Sequence, residues 1–147
     1  MKIDLKNKTA LICASSYGIG FSCANILATT NANIILTSRV KSNLKKAKNA
    51  IKKNIKNLNQ KNKVFCYEVD FSNKSLTKNF ISKIKKIHNI DILILNTGGP
   101  VPGNFSSFKN IDDFEKETSA ITFSASLLIQ QLLPNMKING FGRIINI

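Results

Sequence analysis

Apolar strand-like segments and amphipathic helix-like segments alternate along the whole of this chain, and that alternation limits the fold more than any other feature. The strand-like segments are "TALICA" (9–14), "NIILTS" (33–38), "KVFCYEV" (63–69), "DILILN" (91–96) and "RIINI" (143–147). They are mostly continuous apolar runs, with little of the polar alternation of a half-wet strand, so most require cover on both faces. Between them the period changes. "GFSCANILAT" (20–29) reads as a helix, and Asn31 is placed to end it in the left-handed conformation. From Ser42 to Gln60, the residues Leu44, Ala47, Ile51, Ile55 and Leu58 form one apolar stripe among Lys and Asn. Ser72 is a candidate N-cap for a helix carrying Leu76, Phe80, Ile84 and Ile87, and a longer helix spans 111–137. The expected fold is α/β: a doubly wound parallel sheet of about five strands with helices on both faces. No linker, repeat or low-complexity block divides it, so residues 1–147 are expected to form a single domain.

The charge needs separate treatment. The formal net charge is +14, which ordinarily points to a polyanion partner. The cations are nearly all Lys, with only Arg39 and Arg143 added, in a chain also rich in Asn and Ile. These are the residues of AT-rich codons, and no basic stretch is interleaved with aromatics, so the expectation is solvated surface lysines and no nucleic acid. Cys13, Cys23 and Cys66 are an odd number without metal-type spacing; they read as small buried residues in a reducing compartment, and no metal site is expected. His88 stands alone in sequence and reads as a packing or surface residue. The N-terminal "MKIDLKNKT" does not resemble a signal peptide, and the uncharged stretch 9–38 is broken by Gly, Ser and Asn. A cytoplasmic protein with no membrane association is expected.

In a sheet of this kind, ligands collect at the C-terminal strand ends. After the first strand comes "CASSYGIG" (13–20), where Ser15, Ser16, Gly18, Ile19 and Gly20 could hold a pyrophosphate against the positive end of a helix. A tight ligand-free turn would use the same glycines. After the second strand, Ser38 and Arg39 occupy the position where an NAD site needs a carboxylate for the ribose hydroxyls. A hydroxyl and a guanidinium suit a 2′-phosphate, so NADP is favoured over NAD. Asp70, after the third strand, could accept from an adenine amino group with Phe71 lending its backbone. After the fourth, Asn96 could tie strands together through its amide, while Thr97 and Gly98 in "NTGGP" leave room for a nicotinamide ribose.

Taken together these residues resemble the short-chain dehydrogenase/reductase family, most closely its 3-oxoacyl-acyl-carrier-protein reductase-like members. "CASSYGIG" is similar to the family's Thr-Gly-x-x-x-Gly-x-Gly turn, with Cys13 for Thr and Ala14 for the first Gly. Asp70 matches its strand-three Asp, and "NTGG" its Asn-Asn-Ala-Gly. The resemblance implies a Rossmann-like fold and a nicotinamide cofactor. It also implies hydride transfer to or from a small carbonyl or alcohol substrate, and a homo-oligomer for the complete protein. Three departures stand out. Ala14 adds a methyl group that an ordinary turn accommodates, Tyr17 replaces the basic residue many NADP-using members carry, and Ile121 occupies the family's catalytic Asn position. The family's Ser and Tyr-x-x-x-Lys would follow residue 147. On this reading the 147 residues are the N-terminal cofactor-binding part, with no catalytic residue and no expected turnover of their own. The alternative is a catalytically inactive module that binds nucleotide or a partner.

Overall fold

The computed structural model describes residues 3–97, 104 and 110–147. In chain order the elements are β1 (Thr9–Ile12), α1 (Gly18–Thr29), β2 (Asn33–Ser38), α2 (Lys41–Asn57), β3 (Val64–Glu68), α3 (Lys74–Ile87), β4 (Ile92–Leu95), α4 (Ile111–Ile138) and β5 (Arg143–Asn146). Among the described residues the five strands form one parallel sheet in the order β3-β2-β1-β4-β5. The order reverses between β1 and β4, because β2 and β3 wind to one side and β4 and β5 to the other. The doubly wound α/β expectation is therefore met.

Two apolar layers sandwich the sheet. On one face Ala24 and Ala28 of α1 and Leu44, Ala47, Ile51 and Ile55 of α2 pack onto Ala10, Ile12, Ile34 and Leu36. The α2 residues are the stripe legible in the sequence except for Leu58, which follows the last helical residue, Asn57, and is exposed. On the other face Phe80, Ile81 and Ile84 of α3 and Leu128, Leu132 and Met136 of α4 cover Leu11, Ile35, Leu93 and Leu95. Because residues alternate sides along a strand, β1, β2 and β4 supply apolar groups to both layers. This explains why their sequences do not alternate.

The two edge strands behave differently. β3 is only half-buried, and all four residues of β5 are exposed. Asn31 does take a left-handed φ of +67° after α1. The α3 cap differs from expectation: Asn73, not Ser72, accepts from the Leu76 N–H, while the Ser72 hydroxyl turns back to Asp70. Asn73 lies one residue closer to the first turn, where its amide oxygen reaches the N–H three residues on. At the sheet end opposite the β1–β4 switch-point loops, buried Asp91 accepts from the Thr9 N–H at 2.9 Å and from Lys8 Nζ at 3.4 Å.

All three cysteines are free, but only Cys13 is buried; Cys23 and Cys66 are half-buried. Helices α1 and α2 cover one face of the sheet without sealing the ground beside these two thiols. His88 has the packing role expected of it. Its ring lies 4.5 Å from the Phe65 ring, and its Nε2 is 2.7 Å from the Tyr67 hydroxyl. Burial lowers the His88 pKa and raises that of Tyr67. For a base whose folded pKa lies below its unfolded value of about 6.5, the unfolded chain takes up the proton first. Stability is then unaffected above that value and declines as pH falls through it. The melting temperature is expected to drop more between pH 7.5 and 5.5 for the native chain than for His88→Gln. Parallel declines in the two proteins would show that His88 is not the titrating group.

Candidate functional site

The C-terminal ends of β1, β2 and β4 meet in one cleft, and backbone hydrogen bonds set their relative heights. Cys13 N–H donates to the Ile94 carbonyl at 2.9 Å, Ser15 N–H to Thr37 at 2.8 Å, and Val69 N–H to Ser38 at 3.0 Å. Side chains reinforce the joint. Ser15 Oγ donates to the Ile12 carbonyl at 2.9 Å and accepts from the Thr37 N–H at 3.0 Å, while Thr37 Oγ1 donates to the same Ile12 carbonyl. Ser15 and Thr37 are fully buried. The Ser15 side chain therefore lies inside the β1–β2 joint and not on the cleft wall, which corrects its reading as a pyrophosphate contact. Its hydroxyl is small enough to enter the joint and satisfies two backbone groups there. Thr37 was not singled out from sequence. A hydroxyl residue within a buried β-branched run was the available signal.

The turn leading into α1 carries two unusual backbone conformations. Ala14 has φ +43° and Gly18 φ +61°. A Cβ built on Gly18 meets nothing within 4 Å, so this glycine is needed for its backbone angle and not for space. Gly20 is the reverse. Its Cβ would lie 2.6 Å from the Ala14 carbonyl oxygen, 2.8 Å from Asn96 Nδ2 and 3.0 Å from the Cys13 carbonyl oxygen. The space at Gly20 is filled by the protein's own turn, so close approach to a ligand is not its role. The ordinary-turn expectation for Ala14 also fails: its methyl sits in a left-handed conformation that costs a non-glycine residue about 1 kcal/mol. Ala14→Gly removes that strain but enlarges the unfolded ensemble, so the net expected gain is on the order of 0.5 kcal/mol, readable as a higher urea midpoint with unchanged slope. A lowered midpoint would show that the turn holds Ala14 without strain.

What faces outward from the turn is open. Tyr17, the N-cap of α1, supplies no side-chain cap, and no acidic residue sits in the first helical turn. Tyr17 and Ile19 are exposed. The positive end of α1 therefore carries no capping side chain and no first-turn carboxylate among the described residues. Ser16 Oγ donates to Ser38 Oγ at 3.0 Å, which joins the α1 loop to the end of β2. Next to that hydroxyl pair Arg39 is exposed and forms no ion pair among the described residues. Glu68, passed over in the sequence reading, stands in register with Ser38 at the end of β3.

Asp70 and Phe71 are more committed than expected. The Asp70 carboxylate accepts from Ser72 N–H at 3.0 Å and Ser72 Oγ at 2.7 Å. The Phe71 carbonyl accepts from the buried Ser124 hydroxyl of α4 and from Thr77 Oγ1, and its ring is buried against Phe80. These bonds occupy the Phe71 carbonyl in helix anchoring, so only its N–H could serve a ligand, and one oxygen of the Asp70 carboxylate already closes the turn at Ser72. On the β4 side, Asn96 Nδ2 reaches the Ala14 carbonyl at 3.4 Å, joining strands through its amide. Cys13 lies beneath this contact, and burial pushes its thiol up to about 12, so it is neutral and inert. Thr97 is half-buried beside Asn96; Gly98 lies outside the described residues. Ile121 is half-buried on α4.

A second concave surface among the described residues is an open depression of about 590 Å³ on the outer stripe of α4, lined by residues including Phe114, Thr118 and Phe123. It includes none of the cleft residues. Among the described residues no group of His, Cys, Asp or Glu could hold a metal, and no helix is long and apolar enough to cross a membrane.

The sheet and cleft have close counterparts in known proteins. A fatty acyl-CoA reductase of Acinetobacter baylyi is 30% identical over 98% of this chain and 48% of its own length. A 3-oxoacyl-[acyl-carrier-protein] reductase of Rickettsia prowazekii is 31% identical over 99% of this chain and 55% of its own length. Among solved structures, the NADPH-dependent reductase YwfH of bacilysin biosynthesis superposes with a TM-score of 0.84 at 28% identity, covering 95% of this chain and 53% of that protein. The L-sorbose reductase of Gluconobacter frateurii shares the fold at a TM-score of 0.85 and 24% identity, over 99% of this chain and 54% of that protein. The chain thus spans about half the length of the relatives it matches. The short chain dehydrogenase model matches residues 8–147, from the first strand through the last. The chain belongs to the short chain dehydrogenase family.

Proposed function

We propose that residues 1–147 form one dinucleotide-binding domain, the cofactor-holding part of an NADP(H)-dependent oxidoreductase whose whole-protein substrate is a small carbonyl or alcohol. The observation that carries this is at the cleft rim: an uncapped α1 N-terminus, the Ser16–Ser38 hydroxyl pair and unpaired Arg39 converge where the strand order reverses. When bound, the cofactor supplies the hydride from its nicotinamide ring. The chain's own residues bind and orient it.

Backbone N–H groups from Gly18 to Gly20 face the pyrophosphate, and Ser16 with Ser38 approaches the adenosine ribose. Arg39 pairs with the 2′-phosphate, and the Phe71 N–H and the outer side of Asp70 meet the adenine. Asn96 and Thr97 would border the nicotinamide ribose, and Gly98 is assigned to it from the sequence motif alone. Ser15 and Gly20 act on the cofactor only by fixing this turn. Membership of the short chain dehydrogenase family and the NADPH dependence of the similar reductase YwfH support the cofactor assignment. Isothermal titration of the chain with NADP and with NAD tests it. Tighter binding of NADP is expected; equal affinity would remove Arg39 and Ser38 from the proposal, and no binding of either would end it.

A further inference from the structure

The fold segregates charge in a way that the composition did not reveal, and that segregation reverses the expectation of solvated lysines without a nucleic-acid partner. No Asp or Glu occurs from Leu5 to Tyr67, and those residues build the whole α1–α2 layer on one side of the sheet. On α2, Lys41, Lys45, Lys48, Lys52 and Lys56 recur at steps of three and four, which places them in one stripe along the helix. At about 1.5 Å per residue the stripe runs roughly 22 Å. Lys48 and Lys52 lie near enough to Cys66 to oppose the burial that raises its thiol pKa, so the stripe faces the β3 side of the layer. Lys46 and Lys53 extend the positive surface around the helix, and both are exposed. None of these lysines forms an ion pair among the described residues. The nearest carboxylate in register with this side, Glu68, stands at the cleft end and forms no such pair either.

We infer that the lysine-bearing flank of α2 on the β3 side is a docking surface for the phosphodiester backbone of a nucleic-acid duplex, contacted without base recognition. The chemistry of the face selects this partner. Leu44, Ala47, Ile51 and Ile55 are all consumed by the core, and the exposed apolar residues left are Ala50 within the helix and Val40 and Leu58 at its opposite ends, which make no continuous apolar face for a lipid surface. No aromatic or Arg side chain lies on α2 to form the desolvated centre of a protein interface. What remains is a rigid row of hydrated point charges spaced about 4.5–6 Å apart along the axis. Such a row matches a repeating phosphate backbone and releases its counterions. The absence of Arg and Asn–aromatic combinations argues only against reading of sequence.

The test uses the full chain and a fluorescent 20-base-pair DNA duplex, with affinity measured from 50 to 200 mM salt. Five phosphate contacts predict a slope of log K against log salt near −4.5, or roughly a 500-fold loss across that range. Lys45→Gln/Lys48→Gln/Lys52→Gln should reduce the slope by about 2.7, and the double variant Lys45→Gln/Lys52→Gln by about 1.8. A control triple, Lys78→Gln/Lys86→Gln/Lys137→Gln, removes the same charge from α3 and α4 and should change the slope by less than about 1. Equal effects of the two triples would overturn the proposal, as would no binding at 50 mM salt. Binding to phosphatidylserine vesicles but not to the duplex would do the same. Retained NADP binding and thermal melting show that the variants are folded.

Discussion

Gly20→Val should be the most destabilising single change in the cofactor turn, costing about 3 kcal/mol or on the order of 10 °C in melting temperature. The first carbon of any side chain at this position would stand 2.6 Å and 3.0 Å from two backbone carbonyl oxygens, those of Ala14 and Cys13. Neither is the movable end of a flexible group. The Cys13 residue is pinned by its N–H to the Ile94 carbonyl, and Ala14 is already held at a left-handed φ. The third contact, Asn96 Nδ2 at 2.8 Å, is the amide that reaches Ala14, so relief by moving Asn96 would cost that bond. Helix propensity pulls the other way, since Gly in a helix interior costs up to about 1 kcal/mol. The clash with two fixed oxygens outweighs it. Gly18→Ala provides the contrast: with no atom within 4 Å, only its φ of +61° is at stake, and about 1 kcal/mol is expected. Chemical denaturation of both variants checks the ordering. A Gly20→Val loss no larger than that of Gly18→Ala would mean that α1 can shift away from the β1 turn.

Arg39→Glu should produce the largest change in ligand selectivity. A charge-assisted hydrogen bond contributes about 1.5–3 kcal/mol when shielded, and Arg39 is exposed, so the lower part of that range applies. Reversal also places a carboxylate against the doubly charged 2′-phosphate. NADP affinity is expected to fall on the order of 10- to 100-fold, with NAD affinity unchanged or improved, because a carboxylate there can accept from the free ribose hydroxyls. Titration calorimetry at fixed ionic strength reads both. A parallel loss of NADP and NAD would point to collapse of the β2 end, and unchanged NADP binding would place the 2′-phosphate elsewhere.

The elements and the layers were legible because helix and strand periods are local properties. The α2 stripe of Leu44, Ala47, Ile51 and Ile55 is buried as its spacing requires, and β2 has the boundaries that its apolar run suggests. The site was legible by position but less so by role. The sequence placed Ser15 and Phe71 just beyond strands and Gly20 at the start of the following helix. It could not show that the Ser15 hydroxyl, the space at Gly20 and the Phe71 carbonyl are all used inside the protein. The partners of the Ser15 hydroxyl and the Phe71 carbonyl lie 22 and 53 residues away in Thr37 and Ser124, and the space at Gly20 is closed partly by Asn96, whose amide reaches Ala14 from 82 residues away, beyond any local pattern.

By itself, then, the sequence determined an alternating α/β chain with its apolar faces, its strand-end polar residues and the Arg39 in place of a carboxylate. These follow from which residues lie three, four or two positions apart. The tertiary structure decided which groups remain outward for a ligand: the α1 N-terminus, Ser16 beside Ser38, and Arg39. It also decided that Ala14 carries a left-handed backbone. The physical reason is the same in each case. A hydrogen-bonding group or an apolar surface is satisfied by whatever the fold brings next to it, and in a parallel sheet that neighbour arrives by a crossover tens of residues long.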